Sequence, residues 1–188
     1  MGKVVLMLSI SLDGYFEGPN REIDWHLVDE ELHTYINGTM RDVGAFLEGR
    51  VTWELMADYW PTADQDPASP APIKEFAAIW RDTPKYLFSR TRDHAEWNTT
   101  IVREVDPAHI EELKRTHGEL WIGSENLASE LWRHDLIDEL RIYIHPVMIG
   151  AGKIPFTAGV RVSLELVDTR RFTNGVVMMQ YRRVSSVS

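Results

Sequence analysis

The most constraining feature of the sequence is the stretch of residues 119–153, which reads ELWIGSENLASELWRHDLIDELRIYIHPVMIGAGK. A short apolar run stops at Gly123-Ser124, an amphipathic segment follows, and a β-branched and aromatic run closes at Gly150. This change of hydrophobic period predicts a strand, a tight turn, a helix and a second strand. Backbone N–H groups at the start of such a helix can hold an anion, because the helix dipole favours negative charge there. The alternative interpretation is a packing unit in which Gly123 only permits the tight turn.

The composition limits the classes of protein to which the chain can belong. Its 188 residues predict a single domain over 1–188, with 184–188 as a disordered tail. The net charge of −9 argues against nucleic acid or an anionic membrane as the partner, but leaves room for a small anionic ligand. The absence of cysteine excludes disulfides, thiolate nucleophiles and cysteine-ligated metals. The N-terminus is too quickly polar for a signal peptide or a membrane span, so a cytoplasmic location is expected.

The pattern along the chain predicts strands that alternate with helices. Buried strands are predicted at residues 3–11, 43–47, 85–89, 120–122 and 140–147, and helices at 28–40, after Gly49, at 73–80, at 107–116 and after Ser124. Long loops are predicted at 15–27 and, because of its four prolines, at 60–72. Alternating runs at 162–170 and 176–183 predict an antiparallel hairpin through Asn174-Gly175. The fold class is therefore α/β, with a mostly parallel sheet and an antiparallel edge.

Basic residues follow two of the predicted strands at the point where each strand ends. Arg50 comes directly after Gly49, and Arg90 follows the strand that ends at Ser89. Each arginine alone is more often a solvated surface residue. The repeated placement favours an anion site at one edge of the sheet.

The common catalytic signatures are absent from the sequence. It contains no GxGxxG fingerprint, Walker loop, HExxH motif or GxSxG elbow. No two of the seven histidines are spaced as a close helical pair, so no metal site is expected. Ser124 lacks a neighbouring base and is interpreted as a capping or turn residue rather than as a nucleophile.

Several segments, taken in order, carry a resemblance to a known family. They are SLDGY at 11–15, EGRVTWE at 48–54, PKYLFSRT at 84–91, IGS at 122–124, LIDEL at 136–140 and PVMIGAGK at 146–153. The ordered set resembles the dihydrofolate-reductase-like superfamily. It is most similar to stand-alone relatives of the reductase domain at the C-terminus of bifunctional riboflavin-biosynthesis deaminase–reductases. The resemblance implies a three-layer fold with helices on both faces of the sheet.

The resemblance also implies an NADPH-dependent reductase, similar to 5-amino-6-(5-phosphoribosylamino)uracil reductase, that transfers a hydride to a small heterocyclic or carbonyl substrate. The positions that match the family's cofactor-binding motifs are Gly49, Arg50, Val51, Thr52, Ser89, Arg90, Thr91, Gly123, Ser124, Glu125, Asn126 and Leu127. Asp13, Trp25 and Trp53 are expected to line the substrate pocket, beside the loop at 15–27. Glu30 matches the single acid that true dihydrofolate reductases carry in their first helix, and it is the candidate catalytic acid. A first-turn helix acid is the alternative role for Glu30.

The sequence departs from the family pattern at two places. Ile122 holds the position where the bifunctional enzymes carry an acid, and the zinc deaminase half is missing. These departures argue against the riboflavin-pathway enzyme itself. Two alternatives stay open: a non-catalytic nucleotide-binding or sensing protein of the same fold, and a true dihydrofolate reductase. A homodimer through the C-terminal strands is expected, because Trp121, Trp132 and Tyr143 add apolar surface to that region.

Overall fold

The computed structural model describes residues 2–156 and 161–184. Its strands are β1 (Lys3–Ser11), β2 (Ala45–Gly49), β3 (Lys85–Phe88), β4 (Thr99–Val102), β5 (Glu119–Ile122), β6 (Glu139–His145), β7 (Leu164–Arg171) and β8 (Val177–Arg183). Its α-helices are α1 (Glu30–Met40), α2 (Arg50–Tyr59), α3 (Ala71–Asp82), α4 (Pro107–His117) and α5 (Glu125–Arg133). A single 3₁₀ turn, Trp60–Thr62, follows α2 directly in the described chain.

The described strands form one sheet in the order β4-β3-β2-β5-β1-β6-β8-β7. Pairing is parallel from β4 to β6, and β8 runs antiparallel to both of its neighbours. This arrangement confirms the α/β fold, the mostly parallel sheet and the antiparallel C-terminal hairpin. Because β2, β3, β4 and β5 are parallel neighbours, their carboxyl ends meet at the same edge of the sheet.

Helices cover both faces of the sheet, as the resemblance implied. Alternate residues of β1 enter two different cores, because successive side chains of a strand point to opposite faces. Val4 and Leu6 pack with buried residues of α4 and α5. Val5 packs with Phe46 and with Trp80 of α3. Residues of α1, α2 and α3 pack into the core on the Val5 face of the sheet.

Local chemistry explains where the element boundaries differ from the predicted ones. The first helix begins at Glu30 rather than at 28, because the Asp29 side chain accepts a hydrogen bond from Leu32 N and caps the helix. The third helix begins at Ala71 rather than at 73, because Pro72 is tolerated in a first turn, where its missing N–H costs nothing. The predicted irregular loop at 60–72 is correspondingly shorter. The sixth strand ends at His145, before a proline.

One predicted feature falls at the limit of the described residues. The expected disordered tail at 184–188 includes Val184, which donates its N–H to Ser163 O at 3.0 Å. Residues 185–188 lie outside the described residues. Within the described ranges, no helix combines the length and the apolar character needed to cross a lipid bilayer.

The exposed edge strand β7 is the part of the C-terminal hairpin through which we expect the homodimer to form. Trp121, Trp132 and Tyr143 are 2, 7 and 1 % exposed, so they belong to the core of one chain and offer nothing to a partner. In contrast, all eight residues of β7 are exposed and the strand is at one end of the sheet. A long exposed edge strand is a template for pairing with another strand.

We expect a homodimer in which β7 pairs with β7 of a second chain. Sedimentation at micromolar concentration should give the mass of two chains. Leu166→Lys should shift that mass towards one chain, because Leu166 is 52 % exposed and a buried charge disfavours the contact. Thr100→Lys on β4, the opposite edge strand, is the control and should sediment as the unsubstituted protein does. A single-chain mass for the unsubstituted protein would contradict the dimer.

Candidate functional site

A cleft of about 620 Å³ lies at the carboxyl ends of β2, β3, β4 and β5. We call it the basic cleft. Among the residues that line it are Gly49, Arg50, Val51, Thr52, Ser89, Arg90, Arg103, Ser124, Glu125, Asn126 and Leu127. The structure therefore brings ten of the twelve sequence-predicted cofactor residues together on one surface, although they come from three separate segments of the chain. The other two do not line the basic cleft: Thr91 follows Arg90 outside it, and Gly123 lines the neighbouring pocket.

Two helices begin at the floor of the basic cleft. The N-cap residues of α2 and α5 are Gly49 and Ser124, and neither helix has a side-chain cap. The Ser124 hydroxyl accepts a hydrogen bond from Gly49 N at 2.8 Å instead, and so joins the two helix starts. The first-turn N–H groups of both helices are consequently available to an anion, which the helix dipoles also favour.

The charge of the basic cleft differs from that of the chain as a whole. Its lining contains five cationic side chains (Arg21, Arg50, Arg90, Arg103 and Lys153) and four carboxylates (Glu17, Glu104, Glu125 and Glu130), in a protein with a net charge of −9. Lys153 Nζ lies 2.6 Å from Glu125 Oε2, so these two charges cancel and leave four arginines beside three carboxylates. The donor set, two uncapped helix starts beside arginines, fits a ligand that carries phosphate groups.

The turn after β3 is built as a rigid platform for Arg90. Ser89 is buried, and its hydroxyl accepts a hydrogen bond from Arg92 N at 3.1 Å. Arg103, which follows β4, donates to Ser89 O at 3.1 Å and to Arg92 O at 2.6 Å. Arg90 is thereby left exposed at the mouth of the cleft. By comparison, Arg50 is engaged by Glu54 at 2.8 Å.

A second cavity of about 530 Å³ adjoins the basic cleft on the α1–α3 face of the sheet. We call it the apolar pocket. Its lining is dominated by aromatic and aliphatic side chains, among them Phe46, Met56, Tyr59, Trp60, Phe76, Trp80 and Trp121. Phe16 and Thr52 line both cavities, so the two spaces meet at these residues. A ligand that fills the basic cleft can therefore reach a second ligand in the apolar pocket.

Phe16 is held at this junction by the backbone of a distant segment. Phe16 N donates to Lys153 O at 2.8 Å, and Lys153 N donates to Glu17 O at 2.9 Å. Gly152 permits the approach, because a Cβ at its position would lie 2.1 Å from Glu17 O. The predicted glycine-rich segment at 150–152 thus has a positioning role that its sequence alone did not indicate.

The apolar pocket contains one acidic residue, Glu48, among its described lining residues. Glu48 is 4 % exposed, and its Oε1 accepts a hydrogen bond from Trp80 Nε1 at 3.3 Å. Its Oε2 is buried and has no hydrogen-bond partner in the described part of the chain. Burial raises the pKa of this carboxyl to about 7, because the charged form loses its hydration. A buried acid that titrates near neutral pH can exchange a proton with a bound ligand.

The residues that the sequence suggested for substrate and catalysis lie outside both cavities. The Asp13 carboxylate accepts hydrogen bonds from Gly150 N and Ile149 N, and so ties the loop after β1 to the loop after β6. Trp53 is 4 % exposed and donates from Nε1 to Thr99 Oγ1. Trp25 contacts histidine rings rather than the pocket. Glu30 is exposed at the first position of α1 and lines neither cavity.

Comparison with known proteins decides the family. The family model of the RibD C-terminal domain matches residues 2–178. The chain belongs to this family. It is 31 % identical over 182 residues to YyaP of Bacillus subtilis, an uncharacterized protein. The match covers 95 % of this chain and 94 % of that protein. Membership of the RibD C-terminal domain family supports a reductase-type enzyme.

Two solved structures show the same fold at low sequence identity. A protein of Shewanella sp. PV-4, provisionally assigned to riboflavin biosynthesis, superposes with a TM-score of 0.74 at 20 % identity, over 97 % of this chain and 99 % of that one. Dihydrofolate reductase from Enterococcus faecalis, complexed with NADP(H), superposes with a TM-score of 0.63 at 15 % identity, over 98 % of each chain. These similarities confirm the dihydrofolate-reductase-like fold of this RibD C-terminal domain protein.

The sequence reasoning missed two charged residues of this RibD C-terminal domain protein. Arg103 follows β4 as Arg50 and Arg90 follow their strands, and the β-branched run at 99–102 was the available signal. Glu48 belongs to the EGRVTWE motif. The available signal was the alternation of side chains in β2, which places Glu48 on the same face as Phe46. The apolar pocket itself has no local signal, because its walls come from β1, the loop after it, α1, β2, α2, α3 and β5.

Two stacked histidines, His26 of the loop at 15–27 and His145 of β6, connect the substrate loop to the sheet. The rings of His26 and His145 are stacked with centroids 5.0 Å apart, and the Nε2 atoms of both are buried without a hydrogen-bond partner among the described residues. His145 Nδ1 accepts a hydrogen bond from Leu27 N at 3.0 Å. Burial, and then the charge of His145, lowers the pKa of His26 to about 4, and burial lowers the pKa of His145. The loop that ends at residue 27 is therefore packed through its own His26 on His145 of β6, and both imidazoles are neutral at pH 7.

We expect acid to destabilise the protein through His26. The pKa of His26 is lowered by folding, so the unfolded chain binds more protons below about pH 6.5, and stability is lost as pH falls from there towards 4. The contribution between pH 7 and pH 5 is about 1–2 kcal/mol. Glu48 acts in the opposite direction because its pKa is raised.

Urea unfolding of the unsubstituted protein and of His26→Gln at pH 7 and pH 5 isolates the His26 contribution. Because Glu48 offsets His26 equally in both proteins, the expected result is a difference: on acidification the unfolding free energy of His26→Gln should change more favourably than that of the unsubstituted protein. His94→Gln is the control, because the His94 side chain is 81 % exposed. An equal loss in the unsubstituted protein and in His26→Gln would contradict the prediction.

Proposed function

We propose that this protein is an NADPH-dependent reductase that reduces a small, planar heterocyclic or carbonyl compound. The observation that carries the proposal is the meeting of the basic cleft with the apolar pocket at Phe16 and Thr52. The basic cleft suits a ligand with several phosphates, and the apolar pocket suits a flat apolar ring. A reductase of this family needs a cofactor site and a substrate site that are in contact.

The residues of the basic cleft fit the phosphates of NADPH. The backbone N–H groups at the starts of α2 and α5 would hold the pyrophosphate, because both starts are uncapped and face the cleft. The platform of Ser89, Arg90 and Arg103 would hold the adenosine 2′-phosphate through charge-assisted hydrogen bonds. When bound, NADPH would supply the hydride for the reduction.

The chain itself would orient the substrate, exclude water from it and supply a proton. The aromatic walls of the apolar pocket orient a planar substrate and remove water from it. Phe16, anchored through Lys153, covers the junction of the two cavities. Glu48 is positioned to hold or release a proton inside the pocket.

The test combines binding with turnover. NADPH titrated into the protein in a calorimeter should bind stoichiometrically. NADPH absorbance at 340 nm should then fall when planar heterocycles or carbonyl compounds from a panel are added, as expected for a hydride transfer. Binding of NADPH without oxidation by any member of a broad panel would favour a nucleotide-binding or sensing protein instead. Failure to bind NADPH would contradict the proposal.

A further inference from the structure

The apolar pocket is unusual because it combines one buried acid with a lining that has no cationic residue. Of the described residues that line it, none is Lys or Arg, and the acidic one is Glu48. Burying a carboxyl group among aromatic rings is unfavourable unless a partner satisfies it. The unpartnered Oε2 of Glu48 is thus a hydrogen-bonding position that the folded chain leaves for a ligand.

The neighbours of Glu48 do not take this position. Trp80 Nε1 reaches Oε1, at the long distance of 3.3 Å. Lys85, on the adjacent strand, donates to the carbonyl oxygens of Thr83 (2.8 Å) and Trp80 and lies over the Trp80 ring. The ammonium group of Lys85 is therefore directed to the backbone, although it is close enough to lower the pKa of Glu48 slightly against the larger effect of burial.

The lining also limits the charge of the substrate. A phosphate or carboxylate in this pocket would lose its hydration without meeting a cation, and would face the Glu48 carboxyl group. In contrast, a flat ring with an N–H group beside a ring nitrogen can donate to the ionised carboxyl group, and its ring nitrogen can accept from the protonated one. The aromatic side chains of Trp60, Phe76 and Trp121 offer surfaces for such a ring.

We propose that the substrate is a planar, uncharged or weakly basic nitrogen heterocycle without a phosphate group, and that Glu48 is the residue that hydrogen-bonds it in the apolar pocket. The proposal deepens the proposed reductase function and rests on it in one respect, since the ligand is a substrate only if the protein is a reductase. The binding site itself depends only on the geometry of the pocket. The other titratable groups around the pocket are His26, His33, Tyr59 and Lys85. The pKa values of both histidines are lowered by burial, so these residues are neutral at pH 8 and do not replace Glu48 as an acid.

Three matched probes test the recognition without any turnover. The probes are 2-aminoquinoline, quinoline, which lacks the amino group, and quinoline-2-carboxylate, which replaces it by an anion. In NMR titrations at pH 8, 2-aminoquinoline should bind at least about ten-fold more tightly than quinoline, as expected for a hydrogen bond to a charged group. The carboxylate should bind more weakly than quinoline. In Glu48→Leu the advantage of 2-aminoquinoline should disappear while quinoline binding persists.

The stability of the same variant separates recognition from a structural role. If Glu48 is kept for a ligand, Glu48→Leu should melt about 3 °C or more above the unsubstituted protein at pH 8, because an uncompensated buried carboxylate has been removed. The difference should shrink at pH 5, where the raised pKa leaves Glu48 neutral. Glu48→Gln, which keeps the shape of the side chain, serves as a second variant if Glu48→Leu does not fold.

The outcomes decide the proposal and the reductase function separately. Equal binding of quinoline and 2-aminoquinoline, tightest binding of the carboxylate, or a lower melting temperature for both variants at pH 8 would overturn the role of Glu48. NADPH binding to the unsubstituted protein, measured by calorimetry, is independent of these results. Discrimination among the probes without NADPH binding would overturn the reductase function and leave the pocket assignment in place.

Discussion

Replacing Glu48 by Gln is expected to lower turnover by roughly 100-fold or more, within the range measured for loss of a general acid. Reduction of a C=N or C=O bond adds a hydride to carbon and a proton to nitrogen or oxygen. Glu48 is the acid that lines the apolar pocket, and its raised pKa of about 7 keeps much of it protonated at neutral pH. Gln has the same shape but cannot release a proton, so the expected loss is in kcat rather than in NADPH affinity.

The pH profile gives the same prediction a second readout. If Glu48 must be protonated to donate, kcat falls as pH rises through about 7, and this limb is absent in Glu48→Gln. A profile with the same limb in both proteins would show that another group supplies the proton.

Glu30→Gln is the matched comparison, because the family resemblance favours Glu30 as the acid. Glu30 is exposed at the start of α1 and lines neither cavity, so we expect its replacement to leave turnover nearly unchanged. The same substrate, NADPH concentration and pH serve for both variants. A loss of roughly 100-fold in Glu30→Gln, with little effect in Glu48→Gln, would favour the assignment by resemblance over the assignment by geometry.

The sequence predicted those parts of the fold and of the site that depend on local pattern. The buried run at 3–11 is the strand β1 with the predicted bounds, and the two alternating runs at the C-terminus form the predicted hairpin. The cofactor segments were also accessible, because each is a strand end followed by a glycine or an arginine. Parallel pairing then brings these segments to one edge, as it does for β2 and β3.

Long-range packing accounts for what the sequence did not predict. The apolar pocket requires α3 to cover β2, which places Phe76 and Trp80 beside Glu48 although they are about 30 residues away along the chain. Trp53 is aromatic and follows a cofactor motif, yet it turns away from both cavities to Thr99 on β4. In both cases the direction of a side chain depends on which elements become neighbours, and periodicity does not carry that information.

The two cavities also divide the charge of the protein in a way that relates to its reaction. Cations are concentrated where phosphates would be held, at the starts of α2 and α5, and are absent from the described lining of the apolar pocket. A ligand with several negative charges is therefore directed to one space, and a neutral ring to the other. This separation favours a cofactor and a substrate that differ in charge, and it makes the cofactor preference a direct test of the basic cleft.

NADPH is expected to bind about ten- to a hundred-fold more tightly than NADH, because the two differ only by the 2′-phosphate and each charge-assisted hydrogen bond to it contributes roughly 1.5–3 kcal/mol before screening. Arg90 is exposed at the cleft mouth and Arg103 supports its turn, so Arg90→Ala should weaken NADPH and leave NADH nearly as it was. Added salt should narrow the gap in the unsubstituted protein, because partly exposed charges are screened. Arg115→Ala is the control, since Arg115 is an exposed arginine in the last turn of α4 and lines neither cavity. Calorimetric affinities that are equal for the two cofactors, or that fall as much in Arg115→Ala as in Arg90→Ala, would contradict the role given to Arg90.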